Sequence, residues 1–212
     1  MAYKNLSDFE NLPRRIFEGV GDYEIPEIHK TEYESGCDWI SFNYAKSCQD
    51  RVEKGIHFFI DDYQFERLWR DIDRYIPMLK QFKYVMSPDF STYTDFPKII
   101  QIYNHYRKHW CAAYMQEAGM NVIPTISWST PDSFSWCFDG EPEGGTVAIS
   151  SVGCMNIKEK KHLFLQGYEA MIERLRPDSI IFYGSVPEEC KGNIVRVKAF
   201  QDKFKEAVCN GW

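Results

Sequence analysis

Ile56-His57-Phe58-Phe59-Ile60 runs straight into Asp61-Asp62, and Phe65, Leu68, Trp69, Ile72 and Ile76 follow at helical spacing. A short unbroken apolar run closed by polar residues reads as a strand buried on both faces, and the 3.6-residue period behind it reads as an amphipathic helix. The unit recurs on both sides. Trp39-Ile40-Ser41-Phe42 ends in Asn43, Tyr84-Val85-Met86 in Ser87-Pro88-Asp89, and Val122-Ile123-Pro124-Thr125-Ile126 in Ser127-Trp128-Ser129. Val147-Ala148-Ile149 ends in Ser150-Ser151, and Ile180-Ile181-Phe182-Tyr183 in Gly184-Ser185. From residue 56 onward the strand starts are 28, 38, 25 and 33 residues apart. A β/α barrel of eight units averages about 31 residues per unit. The expected fold class is therefore α/β, a complete or partial (β/α) barrel of parallel strands with outer helices. An open doubly wound sheet is the alternative, because periodicity does not distinguish the two closures. At 212 residues the chain is short for eight full units. A single domain over residues 1–212 is expected, with residues 1–35 (Pro13, Gly19, Gly21, Pro26) as an irregular lead-in.

The helices carry their own signals. Pro77 is expected to end or kink the helix that follows Asp62. A long helix should start near Asp95 as N-cap and stop at Gly119, with Ile99, Tyr103, Tyr106, Trp110 and Ala113 on its apolar face. Ser129 and Asp132 have capping-box spacing around Pro131, announcing a short helix. Another helix should run from about Asn156 to Arg176, closed by Pro177.

Bulk composition narrows the function classes. Apolar residues make up 44% of the chain, enough for one sizeable core, and 16% are aromatic. The net charge of −6 argues against nucleic acid as the main partner, since phosphate binding goes with a basic surplus. No apolar run approaches the length that spans a bilayer, and residues 1–17 have no apolar core of a signal peptide, so a cytoplasmic protein is expected. Seven scattered cysteines without a C-x-x-C pair point to reduced thiols rather than a disulfide framework. There is no G-x-G-x-x-G, P-loop or G-x-S-x-G.

Chemistry is expected at the carboxyl ends of the strands, where parallel α/β folds gather their ligand sites. Asn43, Asp61, Asp62, Ser87, Asp89, Ser91, Ser127, Trp128, Ser150 and Tyr183 occupy those ends. Asp62 and Asp89 are the candidate catalytic pair, as acid and base or as holders of a divalent cation together with Asp61. Trp128 and Tyr183 are candidate walls that stack a ring. The plainer reading competes at each position: Asp61 or Asp62 caps the following helix, Asp89 forms a turn after Pro88, and Trp128 is a core indole. His105 and His109 stand four apart, a spacing that can share a metal. Without the glutamate of the zinc-protease motif they are expected on a solvated helix face. Glu141 and Glu143 are expected in a solvated loop, and His57 in the core or the lumen.

Several strings occur in order: Phe59-Ile60-Asp61-Asp62-Tyr63-Gln64-Phe65-Glu66-Arg67-Leu68-Trp69, Ser87-Pro88-Asp89-Phe90-Ser91, Asn104-His105-Tyr106-Arg107, Val122-Ile123-Pro124 with Trp128, and Val147-Ala148-Ile149. In these, over about residues 50 to 185, the chain resembles an uncharacterised domain-of-unknown-function family of Gram-positive bacteria, their phages and mobile elements. The resemblance implies a phage- or element-borne protein and transfers no catalytic role. Two function classes follow: a small-molecule site at the strand ends with carboxylate-based hydrolase or lyase chemistry, or a non-catalytic binder. Such a binder would sequester a nucleotide-like ligand or inhibit a host protein.

Overall fold

Among the described residues seven strands form two parallel sheets, each in chain order, and helices pack against them. The structure is a computed structural model and describes residues 10–199. One sheet orders β3 (Asp38–Ser41), β4 (Lys54–His57), β5 (Tyr84–Met86) and β6 (Val122–Ile123). A second orders β7 (Thr146–Ser150), β8 (Ser179–Tyr183) and β9 (Ile194–Val197). Every pairing within them is parallel. Pro124, which has no N–H to give, interrupts the expected strand 122–126. Pairing resumes beyond it as a parallel bridge of Thr125 with Ala148, flanked by Ala148 N–H to Pro124 O and Ile126 N–H to Ala148 O, both 2.8 Å. The order never reverses, so the switch-point crevice of a doubly wound sheet is missing among the described strands. No ladder joins β9 to β3 among the described residues, and a groove of about 310 Å³ between them is lined by Trp39, Ile40, Arg196 and Val197.

Register sorts the side chains into two faces. Pairing puts Trp39, Gly55 and Tyr84 on one face, with Ser41, His57, Met86, Ile123, Ala148, Ile181, Tyr183 and Val197 continuing it. The His57 ring (β4) lies 4.7 Å from that of Tyr183 (β8), although these strands belong to different sheets. That face is therefore concave. A Cβ on Gly55 would meet the Trp39 ring at 2.5 Å, so this close approach requires glycine. On the outer face Val147, Ile149, Ile180 and Phe182 pack on Phe164, Tyr168, Met171 and Leu175 of α4 (Lys158–Leu175).

The other helices depart from the sequence reading in informative ways. The helix after Asp62 breaks at Asp71, not at Pro77, giving α1 (Glu66–Arg70) and α2 (Ile72–Leu79). The lead-in holds the break: Asn11 Nδ2 donates to Trp69 O at 2.7 Å, and Arg14 lies 2.9 Å from Asp73 and 3.6 Å from Asp71. α3 (Lys98–Glu117) starts three residues beyond Asp95, after Pro97, and no side chain caps it. Asp95 is exposed in the turn before it. The Ser129–Asp132 box does not form. Ser133 Oγ accepts from Ser129 N–H (3.1 Å) and donates to Thr130 O (2.7 Å), stabilising a 3₁₀ turn over Pro131–Ser135.

The lead-in is less irregular than expected. It forms a short antiparallel pair, β1 (Gly19–Val20) with β2 (Ile25–Pro26), that lies against α3. α3 is thus covered on most of its circumference: Trp110 is fully buried between Phe17, Trp69 and Tyr114, and its Nε1 donates to Arg15 O at 2.9 Å. Ile99, expected on the apolar face, is 69% exposed. No helix among the described residues is long and apolar enough to cross a membrane.

Candidate functional site

Two polar assemblies hang from α3, one at the strand ends and one behind them. At the strand ends Asp62 begins a 3₁₀ turn (Asp62–Gln64) yet caps nothing with its side chain. Its carboxylate reaches across to the next strand-end loop, accepting from Ser91 N–H at 3.0 Å and Ser91 Oγ at 2.8 Å. Ser91 O accepts from Asn104 Nδ2 (2.6 Å), and Asn104 Oδ1 from Arg107 Nη2 (2.6 Å). Arg107 Nη1 in turn binds Glu66 at 2.9 and 3.0 Å, and its guanidinium lies 4.0 Å above the Phe90 ring. Residues far apart in the chain form one connected network that fixes the loop 87–92.

Asp89 is carried by that loop. It is partly buried, and no hydrogen bond to its carboxyl is formed among the described residues. Burial pushes the carboxyl up to about 7, with Lys108 opposing the rise and the Asp62 charge adding to it. The two candidate carboxylates therefore differ in kind: Asp62 has both oxygens engaged, and Asp89 titrates near neutrality.

The remaining strand-end residues divide. Asp61 is exposed and accepts from Gln64 Nε2 at 3.3 Å, while Gln64 Oε1 accepts from Asn43 Nδ2, so these three form a separate chain at the surface. Ser87 is fully buried and structural: its Oγ accepts from Thr125 N–H (2.8 Å) and its carbonyl from Thr125 Oγ1 (2.9 Å). Ser150 Oγ accepts from Val152 N–H at 3.2 Å in a turn, and Ser127 is half-buried. Tyr183 sits on the concave face, its ring 5.0 Å from that of Phe59 and 4.7 Å from that of His57. Trp128, expected as a second wall, points the other way, onto α4. Its ring lies 5.4 Å from that of Phe164, and a Cβ on Gly167 would meet its Nε1 at 2.2 Å. A glycine inside a helix costs about 1 kcal/mol relative to alanine, and here it makes room for the indole.

The second assembly buries the His105–His109 pair and joins it to Lys108 and Glu141, which the sequence did not connect with it. His105, Lys108, His109 and Glu141 are enclosed between α3, the lead-in and the turn at Asp139–Glu141, with side-chain exposure of 1% for Lys108 and 0% for Glu141 and His109. Lys108 Nζ donates to Glu141 Oε1 (2.6 Å) and to Thr125 O (2.8 Å). His109 Nε2 is 3.0 Å from the same Oε1, and its Nδ1 is 2.8 Å from Pro26 O. His105 Nε2 is 3.1 Å from Asp139 O, and Glu141 Oε2 is buried with no partner. Burial lowers the pKa of both histidines, His105 furthest. Burial alone would raise that of Glu141, but Lys108 and His109 hold it below the ordinary range. Gly140, at φ +74°, presses on Pro26 O and the His109 ring, where no side chain fits. The expected solvated faces for His105, His109 and Glu141 are thus corrected. The signals available were the four-residue spacing of His105 and His109 and the clustering of Asn, two His, Arg and Lys within residues 104–109.

Comparison with known proteins places the chain in a family. A model described as a domain of unknown function, DUF4417, matches residues 17–201. The chain belongs to that family. It is 40% identical over 181 residues to the Gene 1 protein of Mycobacterium phage L5, covering 84% of this chain and 78% of that protein. It is 36% identical over 210 residues to the Gene 1 protein of Mycobacterium phage D29, covering 97% and 77%. No solved structure matches. The family resemblance and its phage association both hold.

Proposed function

We propose that the chain is a small-molecule domain whose site is the concave mouth at the strand ends. It works through carboxylate chemistry of hydrolase or lyase type, with Asp89 as the group that gives and takes a proton. The supporting observation is Asp89 itself, a carboxyl without a hydrogen-bond partner among the described residues and raised to about 7. General acid–base groups work best with a pKa near the operating pH. Asp62 is a positioning residue in this reading, because both its oxygens hold Ser91. His57, Phe59 and Tyr183 floor the mouth with rings that favour a flat or ring-bearing ligand. Asp61 faces Gln64 and solvent, so a divalent cation shared by Asp61 and Asp62 finds no support in the bonding. The same reading takes the two sheets as one incomplete barrel, on the strength of the chain-order strands, the Thr125–Ala148 bridge and the groove between β9 and β3.

The test incubates the purified chain with a metabolite extract and follows depletion by mass spectrometry, beside Asp89→Asn. Loss of a specific depletion in the variant, with an unchanged unfolding curve, supports the reading. Equal depletion by both proteins removes it.

A second reading, a binder that sequesters an anionic, nucleotide-like molecule or blocks a host protein in the cytoplasm, is favoured by a different observation. A groove of about 550 Å³ away from the mouth sets Lys191 and Arg196 beside Val186, Pro187, Cys190 and Ile194, with Glu188 among them. An intact molecule released on denaturing the wild-type chain, absent from Arg196→Glu and never turned over, would favour this reading over the first.

A further inference from the structure

We propose that His105, His109 and Glu141 form a binding site for a single divalent transition-metal ion of the zinc class, for which the Lys108 ammonium is the resident competitor. One ligand atom from each of the three residues lies within 4.8 Å of the others. Each histidine has one ring nitrogen on a backbone carbonyl, as metal-binding imidazoles commonly do, which leaves Nδ1 of His105 and Nε2 of His109 as the nitrogens for an ion. His105 gives Nε2 to Asp139 O, and His109 gives Nδ1 to Pro26 O. A neutral imidazole has a single N–H. Once His109 donates it to Pro26 O, the lone pair of Nε2 faces Glu141 Oε1 at 3.0 Å. Two facing lone pairs repel unless a cation or a proton lies between them. Ligands bound at about 2.1 Å stand about 3.4 Å apart at the tetrahedral angle, so this 3.0 Å pair has to open by a few tenths of an ångström to admit the ion.

Glu141 supplies a second, independent observation. Its side chain has no exposure, and its Oε2 has no partner, so one carboxylate oxygen remains open to a cation. The ammonium of Lys108, 2.6 Å from Oε1, occupies the position a cation would take, and Thr125 O is a second acceptor on which it rests when displaced. Imidazole with carboxylate selects zinc and its neighbours over calcium or magnesium. Because the cluster is closed to solvent, the ion enters as the chain folds. The proposal does not depend on the strand-end reading.

The experiment refolds the full chain from denaturant after chelation, with and without zinc chloride, and measures bound metal after gel filtration. One zinc per chain is expected, held at least tenfold more tightly by Lys108→Met and lost in His109→Ala and Glu141→Gln. Cobalt substitution of the wild-type chain gives a readout that needs no variant: visible bands of a nitrogen- and oxygen-ligated ion, without a near-ultraviolet thiolate band. No stoichiometric metal in either wild type or Lys108→Met overturns the proposal and leaves a proton in the cluster. A thiolate band overturns it too, by placing the ion on a cysteine.

Discussion

Asn104 and Arg107 leave α3 toward the strand ends, and His105, Lys108 and His109 leave it toward the lead-in, within the same two turns of helix. In the first direction donors and acceptors match almost one for one, from Glu66 through Arg107, Asn104 and Ser91 to Asp62; Arg107 Nε alone lacks a partner. In the second, Pro26 O, Thr125 O, Asp139 O and Glu141 Oε1 each have a donor, and the atom left bare is an acceptor, the carboxylate oxygen Glu141 Oε2. A matched network is what holding a loop requires. A bare carboxylate oxygen in a dry place is costly, on the order of 1–3 kcal/mol. The difference separates scaffolding from a place where something is to be bound.

The sharpest way to break that contrast is to remove Glu141. Glu141→Ala strands the buried Lys108 charge and should lower stability by about 3–5 kcal/mol in chelator, measured by urea unfolding. The double substitution Lys108→Met, Glu141→Leu should recover most of the loss, because an apolar pair of similar volume replaces a buried ion pair at little cost. A loss below about 1 kcal/mol in the single variant would mean the cluster is hydrated in solution, and the two assemblies would then be alike.

What the sequence displayed of all this follows from which forces leave a periodic trace. The strands at 39, 56, 84, 122, 147 and 180 were legible because burial on both faces writes a continuous apolar run, and α4 because one face alone is wet. β9 was missed: Ile194-Val195-Arg196-Val197 carries an arginine and follows a short loop with no helix. The inner side of α3 was illegible for a deeper reason. Its partners are Pro26 O, Thr125 O, Asp139 O and Glu141, four sites whose approach depends on the whole fold. Hydropathy counts a buried Lys or His as surface whether or not a distant carbonyl receives it. Asp62 failed likewise: capping the next turn and bridging to Ser91 look identical in the chain. Trp128 was read from its strand-end place, but Gly167, thirty-nine residues on, decides where its ring goes.

A smaller effect probes the strand-end side. Asp89 has a folded-state pKa of about 7 against an ordinary 3.8, so the folded chain holds a proton that the unfolded chain has already released between those values. Its contribution is therefore fully present below about pH 4 and lost as the pH rises through 7. The expected decline is on the order of 2 kcal/mol, reduced from the full shift because part of the residue remains exposed. Asp89→Asn should remove this slope from a series of urea unfolding curves taken across that range. A slope that survives the substitution belongs to another group, and Asp89 would then be an ordinary ionised carboxylate as well bonded as Asp62.

The smallest effect asks whether an unmet polar group always signals a site. Ser129 Oγ is buried without a partner, like Glu141 Oε2, but it is uncharged. Four residues on, Ser133 Oγ is buried with two, accepting from Ser129 N–H and donating to Thr130 O. Ser133→Ala should cost about 1 kcal/mol, since it leaves a backbone N–H and a carbonyl unmet. Ser129→Ala should change stability by less than about 0.5 kcal/mol, or raise it slightly, because it removes a hydroxyl that nothing answers. Thermal unfolding of the two variants side by side reads the difference directly. If Ser129→Ala proves as costly as Ser133→Ala, its hydroxyl is bonded in solution, and a bare buried oxygen then carries less weight at Glu141 as well. If it is neutral, charge is what distinguishes the two bare oxygens. A lone hydroxyl can be deleted without consequence, whereas a buried carboxylate must be answered by a cation, whether the lysine already beside it or a metal ion.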